Sequence, residues 1–173
     1  MAAARISSEE LPRLDRGRFV ELFGGVFEHA PWVAEQAFAA GPFRNIETLH
    51  GAMVEAMRRS PRERQLALIR AHPDLAGRAA IAGDLTAASS AEQASAGLDQ
   101  CTPAELERFR ELNQTYQTRF GFPFILAVKG RNRAEVLAIF EQRVRNPLET
   151  EFQEALHQIA DITRLRLADL IQP

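Results

Sequence analysis

Proton-transfer chemistry in this chain rests on four histidines and a few carboxylates, and one histidine stands apart from the others. His72 precedes Pro73, whose ring pushes the preceding backbone out of helix toward an extended form. An imidazole at a helix break, with an ordinary pKa of about 6.5, is a ready proton carrier near neutrality. Many His-Pro pairs only end helices, so position alone leaves both readings open. His29 and His157 fall beside apolar residues in expected helices, and His50 adjoins the Leu49 stripe. These three read as packed or surface residues. The run Ser89-Ser90-Ala91-Glu92-Gln93 also has two readings. Ser89 with Glu92, or Ser90 with Gln93, makes a helix-capping box. Alternatively, the Glu92 carboxylate turns into a pocket facing His72.

Other chemistries find less support. Cys101 stands alone, which excludes an intrachain disulfide or a paired-cysteine metal site and suits a reducing, cytoplasmic compartment. A helix start at Thr102 would activate its thiol, but a lone cysteine is more often inert. His72 and Asp74 are close enough in sequence to share a metal, yet no further ligand cluster joins them. Phosphate-cradling and nucleophile-elbow motifs are absent. Gly24-Gly25 reads as a place for close helix packing.

These groups must be positioned by helices. Ser60-Pro61 with Glu63, Thr102-Pro103 with Glu105, and Asn146-Pro147 with Glu149 repeat one start signal: a cap, a proline at the first helical position, and a Glu at the third. Asn132 with Glu135 repeats it without the proline. Apolar stripes follow at helical spacing: Leu106, Phe109, Leu112, Asn113, Tyr116 and Phe120; Val136, Leu137, Phe140 and Val144; Leu148, Phe152, Ala155, Leu156, Ile159, Ile162 and Leu165. Earlier, Phe19 to Phe27 should form a helix ending near Pro31. Leu49, Met53, Val54 and Met57 mark another, Leu66, Leu68 and Ile69 the next, and Leu75 to Ala82 a short one after His72. Only Gly121 to Val128 is β-rich, and with no second strand to pair it reads as a buried extended connector. Its backbone amides then need partners, and a ligand is one candidate. The fold expected is all-α: one bundle of about eight to ten helices over residues 15–173, entered by a segment 1–14, without a sheet.

Bulk properties narrow the partners. The 21 basic and 23 acidic residues leave a formal charge of −2, too little field to hold nucleic acid or an anionic membrane. Nearly all the basic residues are Arg, a bias that suits carboxylate ligands. Met1 to Arg5 shows no secretory pattern, no apolar run reaches spanning length, and Leu170 to Pro173 is unlike a peroxisomal address.

Taken in order, several segments resemble one family. They are Phe23-Gly24-Gly25-Val26-Phe27-Glu28-His29-Ala30-Pro31-Trp32-Val33-Ala34, then Ala71-His72-Pro73-Asp74-Leu75-Ala76-Gly77, then Leu85-Thr86 and Ser89 to Leu98. Leu112-Asn113, Tyr116, Phe120 to Ile125, Arg143 and Ile159 to Leu170 complete the series. Together they resemble the OHCU decarboxylases, which act on 2-oxo-4-hydroxy-4-carboxy-5-ureidoimidazoline, over about residues 15 to 171. Val26-Phe27 stands where many members have Val-Tyr. The resemblance implies a helical homodimer that needs no metal or organic cofactor and yields allantoin in urate degradation. It places His72 as proton donor and Glu92 as the second essential polar group. Pro73, Ser89, Ser90, Ala91, Glu92, Gln93, Phe124, Ile125, Leu126, Ala127 and Val128 take its substrate-binding positions, with Arg143 near the substrate. A helical module that binds a ureide without turnover, or a helical assembly protein, are the competing readings.

Overall fold

The computed structural model describes residues 5–173; the leader reading for residues 1–4 lies outside them. The chain folds as two compact units, residues 1–71 with 160–173, and residues 72–159. Among the described residues there are nine α-helices, three 3-10 turns and one two-residue strand pairing, so the expected all-α class holds.

The first unit contains α1 (Arg16–Phe23), α2 (Trp32–Ala37), α3 (Ile46–Arg59) and α4 (Arg62–Ala71). Asp15 and Asn45 cap α1 and α3 by accepting from the Arg18 and Thr48 amides, two starts that carry no proline to announce them. Phe19, Phe23, Leu49, Met53, Met57 and Ile69 are buried, as their spacing predicts, and Val33 of α2 is buried with them. The helix expected to reach Pro31 stops at Phe23. Two consecutive glycines, the poorest helix formers after proline, end it there. Gly24 is needed for close approach, since a Cβ on it would stand 2.6 Å from the Val20 carbonyl oxygen, whereas Gly25 faces open space. His29 consequently lies in an exposed turn with φ +50° rather than on a helix. The turn is held by a buried ion pair: Arg166 donates to Glu28 at 2.8 Å and to the Val26 carbonyl at 3.2 Å.

The expectation of no sheet needs one amendment. β1 (Ile6–Ser7) pairs in parallel with β2 (Ile171–Gln172), burying Ile6 and Ile171. Two residues per strand are too short for any alternation to show in sequence.

The second unit contains α5 (Arg78–Ala82), α6 (Ala87–Ser95), α7 (Pro103–Phe120), α8 (Arg133–Arg143) and the start of α9 (Leu148–Leu170), whose last turns belong to the first unit. Both capping boxes read at Thr102–Glu105 and Asn132–Glu135 form. Phe109, Tyr116, Phe120, Phe122, Phe124, Phe140 and Phe152 make an aromatic core, with the Phe124 and Phe140 ring centres 3.9 Å apart. The helix expected from Leu75 begins only at Arg78. Ala76 at φ +48° and the tight Asp74–Gly77 approach take up the intervening residues as a turn.

His50 offers a pH test of the first unit. Its Nε2 lies 2.8 Å from the Ala160 carbonyl and 3.3 Å from Thr163 Oγ1. Burial pulls its pKa below the ordinary 6.5, and Arg164 adds to this, while the Ala160 carbonyl and Asp161 oppose it. The unfolded chain therefore binds more protons just below pH 6.5, so this contribution is full above that pH and lost as pH falls. Urea midpoints should decline from about pH 7 to about pH 5, and His50→Gln should flatten that slope while lowering stability at neutrality. An equal slope in the variant would refute the assignment.

Candidate functional site

His72 lies between α4 and α5, in the break its proline predicts, and is 7% exposed. Behind it the chain turns sharply. Ala76 holds a left-handed conformation that costs a residue with a Cβ about 1 kcal/mol. A Cβ on Gly77 would stand only 2.5 Å from that of Asp74.

α6 decides the reading of the serine-rich run. It starts earlier than either proposed box: Thr86 is the cap, accepting from the Ser89 amide at 3.2 Å. Thr86 is followed by Ala87 and Ala88, strong helix formers, so Ser89 to Gln93 sit inside the helix. Glu92 is therefore not a capping residue. Ser89, Glu92, Gln93 and Ala96 recur at three- and four-residue spacing and form one face, with Ser89, Gln93 and Ala96 buried and Glu92 half-buried. Ser90 and Ala91 point away and are exposed.

That face lies against the His72 turn. Gln93 Oε1 accepts from the Ala76 amide at 2.9 Å, and Nε2 donates to the Asp74 carbonyl at 3.2 Å. From α7, Asn113 Nδ2 donates to the Leu75 carbonyl at 3.0 Å, and Gln117 Nε2 donates to Asp74 Oδ1 at 2.9 Å. Because the Leu75 carbonyl can only accept, the Asn113 atom facing away from it is the oxygen. That oxygen is buried and accepts nothing among the described residues. Burial raises the Asp74 pKa, and the Gln117 bond opposes the shift.

Residues 123–128 form the extended connector expected. Phe124, Ile125, Leu126 and Val128 are buried, and Ala127 half-buried. Three of its carbonyls are engaged by arginines. Arg143 Nη1 donates to Ile125 O at 2.7 Å, Arg131 Nε to Ala127 O at 3.1 Å, and the Arg131 amide to Val128 O at 3.0 Å. The Ala127 amide donates to Gln158 Oε1 at 2.9 Å. Among the described residues, no hydrogen bond from the Ile125, Leu126 or Val128 amides is found.

Arg143, expected near the substrate, is anchored in the protein interior. It is 7% exposed, its Nε and Nη2 bond Glu151, and its plane lies 4.5 Å over the Phe124 ring. Glu151 is fully buried and also accepts from the Tyr116 hydroxyl and from Asn146 Nδ2 at 2.8 Å. Burial and then Glu151 push the Tyr116 pKa up, which keeps the phenol protonated and donating. Sequence reading missed Glu151, Gln117 and the tertiary partners of Tyr116 and Asn113. Glu151, Tyr116 and Asn113 are polar residues among the apolar positions of their helices, the one signal they gave, and exposed Gln117 gave none.

Elsewhere the chemistry is weak. Burial and Glu105 raise the Cys101 pKa, the opposite of an activated thiol. No group of three His, Cys, Asp or Glu among the described residues has metal-site geometry.

The architecture and these contacts define a small helical protein with a histidine turn clipped to an acid-bearing helix. The OHCU decarboxylase family matches residues 12–168, and the chain belongs to it. It is 45% identical over 164 residues to a 2-oxo-4-hydroxy-4-carboxy-5-ureidoimidazoline decarboxylase of Haloferax volcanii, covering 95% of both chains. Solved structures that it resembles include two with related names. One is an (S)-allantoin synthase, 32% identical with TM-score 0.77, covering 96% of this chain and 54% of that one. The other is an OHCU decarboxylase in the presence of (S)-allantoin, 25% identical with TM-score 0.66, covering 80% of this chain and 89% of that one.

Removing one partner of a buried ion pair leaves an uncompensated charge. Arg143→Met should therefore lower unfolding free energy by about 3–5 kcal/mol in denaturant titrations. A loss below about 1 kcal/mol, typical of an exposed arginine, would contradict the anchoring role.

Proposed function

We propose that this chain removes CO2 from 2-oxo-4-hydroxy-4-carboxy-5-ureidoimidazoline and delivers a proton to give (S)-allantoin in urate degradation. Family membership over nearly the whole chain carries this reading. The Gln93 bonds from α6 to the turn that follows His72 support the assignment of residues.

The substrate carbon that bears the carboxylate also bears a hydroxyl and adjoins a ring C=N bond. As the carbon–carboxylate bond breaks, its electron pair forms a C=C bond to the neighbouring ring carbon. The C=N pair moves onto nitrogen, which takes a proton. The resulting enol is protonated on that neighbouring carbon and loses its hydroxyl proton, leaving the ring carbonyl. One proton is consumed and one CO2 released, and the ring itself acts as the electron sink.

The protein must hold the carboxylate out of the ring plane and supply the proton on one face. His72 supplies it to the neighbouring carbon, fixing the S configuration. Glu92 accepts from the substrate hydroxyl and ureido N–H groups, with Ser89 on the same helix face. Pro73 and residues Ser90, Ala91 and Gln93 complete the surroundings through the turn and helix that carry them. The Ile125, Leu126 and Val128 amides offer donors to ring oxygens, within the segment from Phe124 to Val128. Arg143 acts through that segment, holding the Ile125 carbonyl.

His72→Gln and Glu92→Ala should each cut turnover by about a hundredfold or more while leaving the helical circular dichroism intact. The assay is the appearance of one allantoin enantiomer from freshly generated substrate, followed by circular dichroism. Near-normal turnover in either folded variant rejects its role, and a wild-type chain that only binds the ureide rejects the enzyme.

We further assign the chain to the cytoplasm, as a homodimer whose functional domain spans residues 15–173. The single cysteine supports the compartment. No helix among the described residues is long and apolar enough to cross a membrane. Sedimentation velocity should give twice the 19.3 kDa chain mass; a single species at the chain mass would remove the dimer.

A further inference from the structure

We infer that Gln93, Asn113 and Gln117 are positioning residues, a clamp of three neutral carboxamides that fixes the backbone behind His72. This rests on the proton-donor reading of His72 given above. The three side chains reach consecutive residues of one turn from two helices. Gln93 takes the Asp74 carbonyl and the Ala76 amide, Asn113 takes the Leu75 carbonyl, and Gln117 takes the Asp74 carboxyl.

Burial argues that the contacts are made for the turn. Gln93 is 5% and Asn113 7% exposed, at positions where the α6 and α7 stripes would ordinarily carry apolar side chains. Asn113 even retains a buried oxygen with no donor among the described residues, an arrangement that a leucine would avoid. The turn itself is strained at Ala76, where glycine would relax it, and such backbone persists only when its surroundings over-determine it. The carboxamides are those surroundings.

Neutrality is the second part of the argument. A proton donor must keep its place while its own charge changes. Carboxamides neither titrate nor add a net charge beside the imidazole, so their hold is the same in both protonation states of His72. The resemblance put Gln93 among substrate contacts; in this arrangement both ends of its side chain are engaged by backbone.

The experiment compares Gln93→Met, Asn113→Leu and Gln117→Leu with wild type. Gln117 is exposed, so its variant keeps the question answerable if a buried one fails to fold. Decarboxylation kcat should fall toward about a hundredfold in the buried variants, as expected when a reacting group is misplaced. In Gln93→Met and Asn113→Leu, whose wild-type side chains bond only backbone of the turn, KM should stay nearly constant and the pH midpoint of kcat should not move. Hydrogen-exchange NMR should show the Ala76 amide exchanging faster in Gln93→Met.

Unchanged Ala76 exchange, or kcat within about twofold of wild type in the folded variants, overturns the clamp. A raised KM with intact kcat also overturns it, by making these side chains substrate contacts. If His72→Gln is itself fully active, the donor reading fails, and the exchange data show separately whether the carboxamides hold the turn.

Discussion

The guanidinium of Arg143 against the carboxylate of Glu151 is the interaction on which the second unit depends. Both side chains are almost wholly out of water, at 8% and 0% exposure. Burying such charges costs several kcal/mol each unless geometry and further hydrogen bonds offset it. Here they do: Glu151 takes two Arg143 nitrogens, the Tyr116 hydroxyl and the Asn146 amide. The helices α7, α8 and α9 are thereby fixed to one buried point. Ile125 is fixed with them, because a shift of its carbonyl would leave a buried guanidinium N–H unbonded.

An extended segment with no strand beside it thus becomes rigid without a sheet. It also acquires a polarity. The carbonyls of Ile125, Ala127 and Val128 are taken up by Arg143 and Arg131, while the Ile125, Leu126 and Val128 amides are not used in the same way. Three backbone amides with no protein acceptor among the described residues are suited to an oxygen-rich, anionic ligand. The proposed substrate carries a carboxylate and ring oxygens, so the segment's hydrogen-bond balance and the chemistry agree.

Much of this was legible in sequence where the signal is local. A cap followed by Pro and Glu reports on its own backbone, so the Thr102 and Asn132 starts were readable from four residues each. Stripes in α3, α7 and α8 were readable because one face of each meets the core. The break at His72 was readable from Pro73. The α6 start was not, since Thr86, Ser89 and Ser90 are all competent caps and only the helix chosen by packing decides among them. The end of α1 was misread because Val26 and Phe27 stay buried after the helix stops, keeping the apolar count high through a turn. The partners of Arg143, Asn113 and Gln117 lie 8, 38 and 43 residues away, and no spacing rule encodes a contact at that distance.

The two kinds of anchor divide along chemical lines. Charge holds the connector, where nothing need titrate, and a strong, directional pair gives the most rigidity. Neutral amides hold the His72 turn, where a proposed proton donor sits and a fixed charge would bias its titration. Asp74 is the exception that fits: it is the one carboxyl in that turn, and burial favours its neutral form. Gln117 donates to it, so the residue remains tied down as a hydrogen-bond acceptor. Rigidity is then obtained without a formal charge in the side chains that hold the turn, which a lysine or arginine in place of Gln93 or Asn113 could not provide.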